Sequence, residues 1–364
     1  DIHETDGNAL VTRDRGFVRL MVASSCNPAG SWTLVQGWCR EFIDGEHQSY
    51  GVNFSSMPVF TGIIDSATGS TITTTTSGKG QDLGVYLGYP AGATCFLELT
   101  DGPSEGHRFD LDAGGIDTFN LDLANTHNTT NVLPAGLAGS HFVVRRHDTL
   151  GGVYPNAEWD QAATPGSADQ VLFYDGTGYT TYYNLSNGTW VRQGGGYSSR
   201  NGLVIAPGTG MLVVHADPDD SNEMLAIGDL RYHDFHRPVK LGTTGLNFTS
   251  LGYPFDASPA SLVMTIPNGF VAAPSVGSAT QILNWAGDMV VNAPGWTTNF
   301  LLPIGASGDW RTQGDIGNIT TNAPLFRHCR SAHVAVQVDH LDWTHPRPWS
   351  PAPWVQPAAL DPAP

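Results

Sequence analysis

One stretch of this 364-residue chain is written twice, and that duplication limits the possible folds more than any other feature. Ser167-Ala-Asp-Gln-Val-Leu-Phe-Tyr174 resembles Ser278-Ala-Thr-Gln-Ile-Leu-Asn-Trp285. Gly178-Tyr-Thr-Thr-Tyr-Tyr183 resembles Gly295-Trp-Thr-Thr-Asn-Phe300, and Gly188-Thr-Trp-Val-Arg-Gln-Gly194 resembles Gly308-Asp-Trp-Arg-Thr-Gln-Gly314. The offset between copies grows from 111 to 117 to 120 residues, which places the added length in loops. Each copy reads as a strand, a turn, an aromatic strand, a second turn and a Trp-bearing strand. Leu203 to Val214 then matches Leu325 to Val336, where the Pro207-Gly-Thr-Gly210 turn has been lost. Two copies are too few for a propeller or solenoid. They predict two similar β-modules side by side, with Trp190 and Trp310 at equivalent buried positions.

The rest of the chain carries the same kind of signal. Short apolar or alternating runs such as Phe17–Val22, Ser70–Thr76 and Thr94–Leu99 are bounded by Gly, Pro, Asn and Asp, the pattern of strands and turns. The best helix candidate is short, Ser258–Met264, with a Ser-Pro start. The expected fold is therefore all-β, with sandwich- or barrel-like modules. The expected division is an N-terminal β domain at 1–137, repeats at 138–240 and 241–342, and a Pro/Trp-rich arm at 343–364. That arm holds Trp343, Trp349 and Trp354 and too many prolines for a helix or an interior strand. It reads as an assembly arm that docks on a neighbouring subunit.

Gly16-Phe-Val-Arg-Leu20, Leu97-Glu-Leu-Thr-Asp-Gly-Pro-Ser-Glu-Gly-His-Arg-Phe109, Asp175-Gly-Thr-Gly-Tyr-Thr-Thr-Tyr-Tyr183, Trp190 and Ile205-Ala-Pro-Gly-Thr-Gly-Met-Leu-Val213 occur in this order. With these elements the chain resembles a family of uncharacterised secreted bacterial proteins with duplicated β-modules. The resemblance spans most of residues 16–336. It implies a secreted β-protein, and the family has no established activity to supply catalytic residues.

Charge narrows the partners. The formal net charge is -17, and no basic stripe exists for a nucleic-acid backbone. Charged residues are 14% of the chain, against about 25% in ordinary soluble proteins. Of the 17 basic residues only Lys79 and Lys240 are lysines. Such a surface suits an extracellular protein or a subunit covered by its neighbours. No apolar run is long enough to span a membrane. The chain opens at Asp1, which reads as a mature chain after removal of a signal peptide. Cys26, Cys39, Cys95 and Cys329 then read as disulfides, with Cys26–Cys39 and Cys95–Cys329 the favoured pairing among three.

Several residue groups could carry chemistry. Asp217, Asp219, Asp220 and Glu223 form an acidic loop whose oxygen donors suit calcium. Asp110, Asp112 and Asp117 are a weaker version of it. His233, His236, His340 and His345 could contribute to a transition-metal site only if their segments converge. Gly102-Pro-Ser-Glu-Gly106 fits the nucleophile-elbow pattern, but a strand pattern follows it where a helix is needed, so it reads as a turn. Tyr174, Tyr179, Tyr182, Tyr183, Trp190, Trp285, Trp296 and Trp310 could stack on sugars, yet their recurrence in the repeat fits packing. Asn53, Asn128, Asn184, Asn187, Asn247 and Asn318 begin Asn-x-Ser/Thr sequences and are expected on exposed turns.

The leading expectation is a non-catalytic extracellular structural protein that partners itself in a filament or surface layer. A glycan-binding adhesin is the alternative, and a secreted hydrolase the second alternative.

Overall fold

The structure, a computed structural model, describes residues 17–24, 33–53, 55–56, 58–74, 95–115, 117–125, 128–231, 233–241, 245–288, 295–327 and 329–347. β-Branched and aromatic runs broken by Gly and Pro turns give several antiparallel sheets and very little helix among the described residues, so the all-β expectation holds.

One module is continuous. β17 (Phe235–Lys240) and β18 (Leu246–Ser250) are followed by β19 (Gln281–Trp285), β20 (Trp296–Leu302), β21 (Asp309–Thr312), β22 (Asp315–Ile319), β23 (Ser331–Ala335) and β24 (His340–His345). The sheet order is β18-β23-β19-β20-β21-β22, and β17 pairs with β24. The other module has the same plan in two pieces of chain. Its first piece is β2 (Thr33–Asp44) and β3 (His47–Gly51). Its second is β11 (Gln170–Tyr174), β12 (Tyr179–Leu185), β13 (Thr189–Arg192), β15 (Gly210–Val214) and β16 (Ser221–Asp229). The sheet order is β3-β15-β11-β12-β13, and β2 pairs with β16 on one side and with β1 (Phe17–Ser24) on the other.

Strand pairing fixes the equivalence residue by residue. Gln170 faces Tyr183 and Val214 across its ladder, as Gln281 faces Phe300 and Ala335. Trp190 and Trp310 are both buried, and each indole donates 2.9 Å to a backbone carbonyl, of Tyr154 and Met264 respectively. The duplication thus takes in β2 with β3 and β17 with β18, whereas the expected division places β2 and β3 in an N-terminal domain and separates β17 from β18 at residue 240.

Between β3 and β11 the chain builds a separate unit. β4 (Pro58–Thr68), β5 (Thr71–Thr74), β6 (Cys95–Leu99), β7 (Arg108–Gly115), β8 (Thr118–Leu121) and β9 (His141–Arg146) close into a barrel in the order β4-β5-β8-β7-β6-β9. A domain at 1–137 therefore does not follow the sheets: β2 and β3 belong to the first module, and the barrel is inserted into it. Alternation along β6 explains how the barrel is attached. Cys95, Leu97 and Leu99 fill the barrel core. Phe96 and Glu98 point the other way, Phe96 against His147 and Glu98 into a buried ionic network.

In that network Glu98 accepts from Arg145 at 3.2 Å and from Arg231 at 2.9 Å, and Arg145 also donates to Asp229 at 2.5 Å. Burial alone would raise the Glu98 carboxyl; Arg231, His233 and Arg145 outweigh it and hold the group well below the usual range. Removing one partner of such a set leaves buried charge uncompensated. The two modules meet at their inner strands. A Cβ on Gly51 would lie 2.1 Å from the Ser250 side chain, so only glycine fits there. Ser331 donates from its backbone to Ser49 Oγ at 2.9 Å and from its hydroxyl to the Tyr50 carbonyl at 2.6 Å.

Two further expectations are corrected. Ser258–Met264 makes one turn closed by Leu262 N to Ser258 O at 3.0 Å and is not a helix; Val263 already has φ of 48°. Trp343 is not part of an arm. It lies on β24, 2% exposed, in the second module's core, with its indole donating to Leu262 O at 3.1 Å. Trp349 and Trp354 lie outside the described residues.

Candidate metal centre and neighbouring groups

Three short segments converge at one end of the first module's sheet. Asp169 precedes β11, His215 follows β15 and Asp220 precedes β16. Their donor atoms lie within 4.8 Å of one another. Asp169 is buried and fixed from both sides: Ala216 N donates to Oδ1 at 2.9 Å, and Asp160 N to Oδ2 at 2.8 Å. His215 is stacked on Trp159, ring centroids 5.5 Å apart and planes 6° apart, which fixes its orientation. Its side chain is fully buried, neither ring nitrogen has a hydrogen-bond partner among the described residues, and Nδ1 stands 3.4 Å from Asp169 Oδ1. Asp220 is half-buried. Burial, then the carboxylates of Asp160, Asp217 and Asp169, push its pKa upward.

Of the acidic loop read from sequence, only Asp220 enters this group. Asp217 and Asp219 are exposed, and Asp217 Oδ1 instead accepts from the backbone of Asp219 at 2.9 Å. Glu223 is on β16, its side chain outside the described residues. Sequence reading missed Asp169 and His215 as donors. The available signal was the repeat itself: Asp169 is an acidic residue in Ser-Ala-Asp-Gln where the other copy has the uncharged Thr of Ser-Ala-Thr-Gln.

The histidine candidates disperse. His233 points at Glu98, 3.6 Å away, and His345 is buried against Trp343. His340 is exposed. His236 does join a group, with His107 of the barrel and Asp342. Its Nδ1 is 2.9 Å from both Asp342 oxygens, and its ring stacks on His107 at 4.4 Å. His107 in turn bonds the Thr129 hydroxyl at 3.1 Å. Burial, followed by His236, lowers His107 to about 4. This group is already hydrogen-bonded within itself and ties the barrel to the second module.

The aromatics have a packing role. His333 sits among Tyr174, Tyr179, Phe248 and Trp296, and Tyr179 bonds His333 Nε2 at 2.7 Å. Trp285 donates to the His47 carbonyl at 2.8 Å, across to the first module. Tyr182, Tyr183, Trp190 and Trp310 are buried.

Other expectations resolve as follows. Gly102–Gly106 is the turn of the β6–β7 hairpin, with no helix after it. Asp110 is buried against His147, while Asp112 is exposed and Asp117 lies in a turn, so the three do not converge. Asn53, Asn128 and Asn184 are buried and bond backbone carbonyls, contrary to the expectation of exposed turns. Cys95 lies in the barrel core and Cys329 in the first module's core, so the expected bridge between them is not formed. Cys26 and the side chain of Cys39 lie outside the described residues. Among the described residues no helix is long and apolar enough to cross a membrane.

Comparison with protein-family models, with curated proteins and with solved structures returned no match.

Proposed function

We propose that this chain is a non-catalytic extracellular structural protein that assembles with copies of itself, and that β22 is where one subunit meets the next. The observation that carries the reading is the state of that strand. β22 is the edge of the six-stranded sheet, and all five of its residues are exposed, Ile316 at 66% and Ile319 at 58%. Natural proteins usually blunt such an edge with lysine, proline or a bulge; Asp315-Ile-Gly-Asn-Ile319 has no lysine or proline, and its pairing with β21 shifts register between Arg311 and Thr312. Arg311 holds the strand in place, donating to the Ile316 carbonyl at 3.0 Å.

A second copy is the occupant the duplication favours. The matching edge of the first module is β13, where the equivalent segment makes a single bridge, Val191 to Ser199. Tyr197 beside it is 73% exposed. A β22 edge laid on the β13 edge of the next subunit is a heterologous contact, which propagates as a filament when the rotation does not close. With a net charge of -17, subunits repel unless screened, so assembly rises with salt.

Negative-stain microscopy and light scattering test this directly. Wild-type protein is expected to form polymers at physiological salt, and the double variant Ile316→Lys/Ile319→Lys to stay folded and monomeric. Monomeric wild type across the concentration range, or unchanged polymers from the variant, would overturn the reading.

A further inference from the structure

We propose that Asp169, His215 and Asp220 bind one divalent cation of the zinc class, which clips together the segments before β11, after β15 and before β16. This inference stands apart from the self-assembly reading. It starts from His215. Buried polar atoms ordinarily have partners, yet among the described residues neither nitrogen of this fully buried ring makes a hydrogen bond. A metal ion is the partner that a stacked, immobile imidazole beside two carboxylates is suited to hold.

The spacing agrees. A tetrahedral site with bonds of about 2.1 Å separates neighbouring donors by about 3.4 Å, and His215 Nδ1 to Asp169 Oδ1 is 3.4 Å. Asp220, on the rim of the group, offers the third donor, within 4.8 Å of the other two. The nitrogen donor also selects the ion: calcium takes six to eight oxygens, whereas zinc is satisfied by mixed nitrogen and oxygen ligands. The backbone donors of Ala216 and Asp160 hold Asp169 in position, the outer support that orients metal ligands.

The duplicated module is the internal control. The position of Asp169 is taken there by Thr280, which accepts from Val271 N as Asp169 accepts from Asp160 N. Val336 stands at the place of His215, one residue beyond the strand that ends at Ala335. Asp339 corresponds to Asp220. The same fold is therefore built with Val, Thr and Val where the first module has Asp160, Asp169 and His215. A buried histidine between carboxylates is not a requirement of this architecture, so a ligand is the reason for its presence.

The test uses the full chain, stripped with a chelator and titrated with zinc chloride by calorimetry, with cobalt as an absorbing probe. One equivalent is expected to bind, to raise the melting temperature, and to give cobalt the visible bands of a tetrahedral site. His215→Val, which copies the second module, and Asp220→Asn, at a half-exposed position, are expected to weaken binding by about 100-fold or more. His236→Ala is expected to leave it intact. Absence of zinc binding by wild type, equal binding by both variants, loss of binding only in His236→Ala, or stabilisation by calcium but not zinc would each overturn the proposal.

Discussion

Asp160, Asp169 and His215 of the first module stand where the second has Val271, Thr280 and Val336, beside matching strands and with one matching hydrogen bond, Asp160 N to Asp169 and Val271 N to Thr280. The first module also admits a six-stranded barrel after β3, where the second passes from β18 into a loop. What the copies keep is the frame: the sheet order, the buried Trp and its carbonyl partner. The polar cluster lies at strand ends, where a side chain can be replaced without disturbing the ladder. The difference separates the fold's requirements from additions made to one copy. The indoles of Trp190 and Trp310 belong to the first kind, and the polar cluster to the second.

The largest expected effect tests the shared frame. Trp190→Ala and Trp310→Ala should each cost about 3–5 kcal/mol in denaturant unfolding, because each removes a fully buried side chain. Similar losses support equivalence; a loss under about 1 kcal/mol in one copy would break it.

Acid should act next, through a group found in the second module alone. Burial lowers His333 to about 4 from an ordinary 6.5, and its first-module counterpart is Leu212. Between these two values the unfolded chain binds the proton and the folded one does not. The stabilising contribution is therefore complete above pH 6.5 and is lost as pH falls to about 4. The loss is on the order of 3 kcal/mol for a shift of this size. His107 is lowered to about 4 as well and titrates in the same window. His333→Leu should remove only its own share of the acid sensitivity, and an unchanged stability–pH profile would contradict that.

The smallest effect sharpens the contrast in the cluster itself. The Asp220 carboxyl is shifted upward in the folded state, so its contribution is favourable at low pH and is lost as pH rises through its folded pKa. At pH 7 without metal, Asp220→Asn should therefore stabilise the protein, by a few tenths of a kcal/mol at this half-exposed site. With zinc present the order should reverse, wild type being the more stable. Destabilisation of the metal-free protein would show that the carboxylates are not in conflict.

The aromatic spacing made the repeat legible, because Trp190 and Trp310 have to recur wherever that core is built. The strands β3 and β18 escaped notice. Gln48-Ser-Tyr50 and Asn247-Phe-Thr249 share no pattern, and what defines them is pairing with β15 and β23, far along the chain. The barrel insertion was hidden for a related reason: nothing in the composition marks where the chain leaves one sheet and returns to it. Asp220 was visible in an acidic run, whereas His215 was lost to a register error. Sequence matching set Val214 against Val336, but the ladders set it against Ala335. A slip of one residue along a strand reverses which face each side chain occupies, and here it concealed that Val336 replaces His215. The prolines after Trp343 make it read as part of the arm, although its own segment alternates as β24.

Anomalous diffraction at the zinc edge, from crystals of the full chain soaked in zinc, compares both modules in one experiment. The expected map has a peak between Asp169, His215 and Asp220 and none at Val271, Thr280 and Val336, with the two sheets superposing strand for strand. A peak confined to His107, His236 and Asp342, or two segments of unrelated topology, would contradict the claim that one fold was duplicated and only its first copy equipped to bind metal.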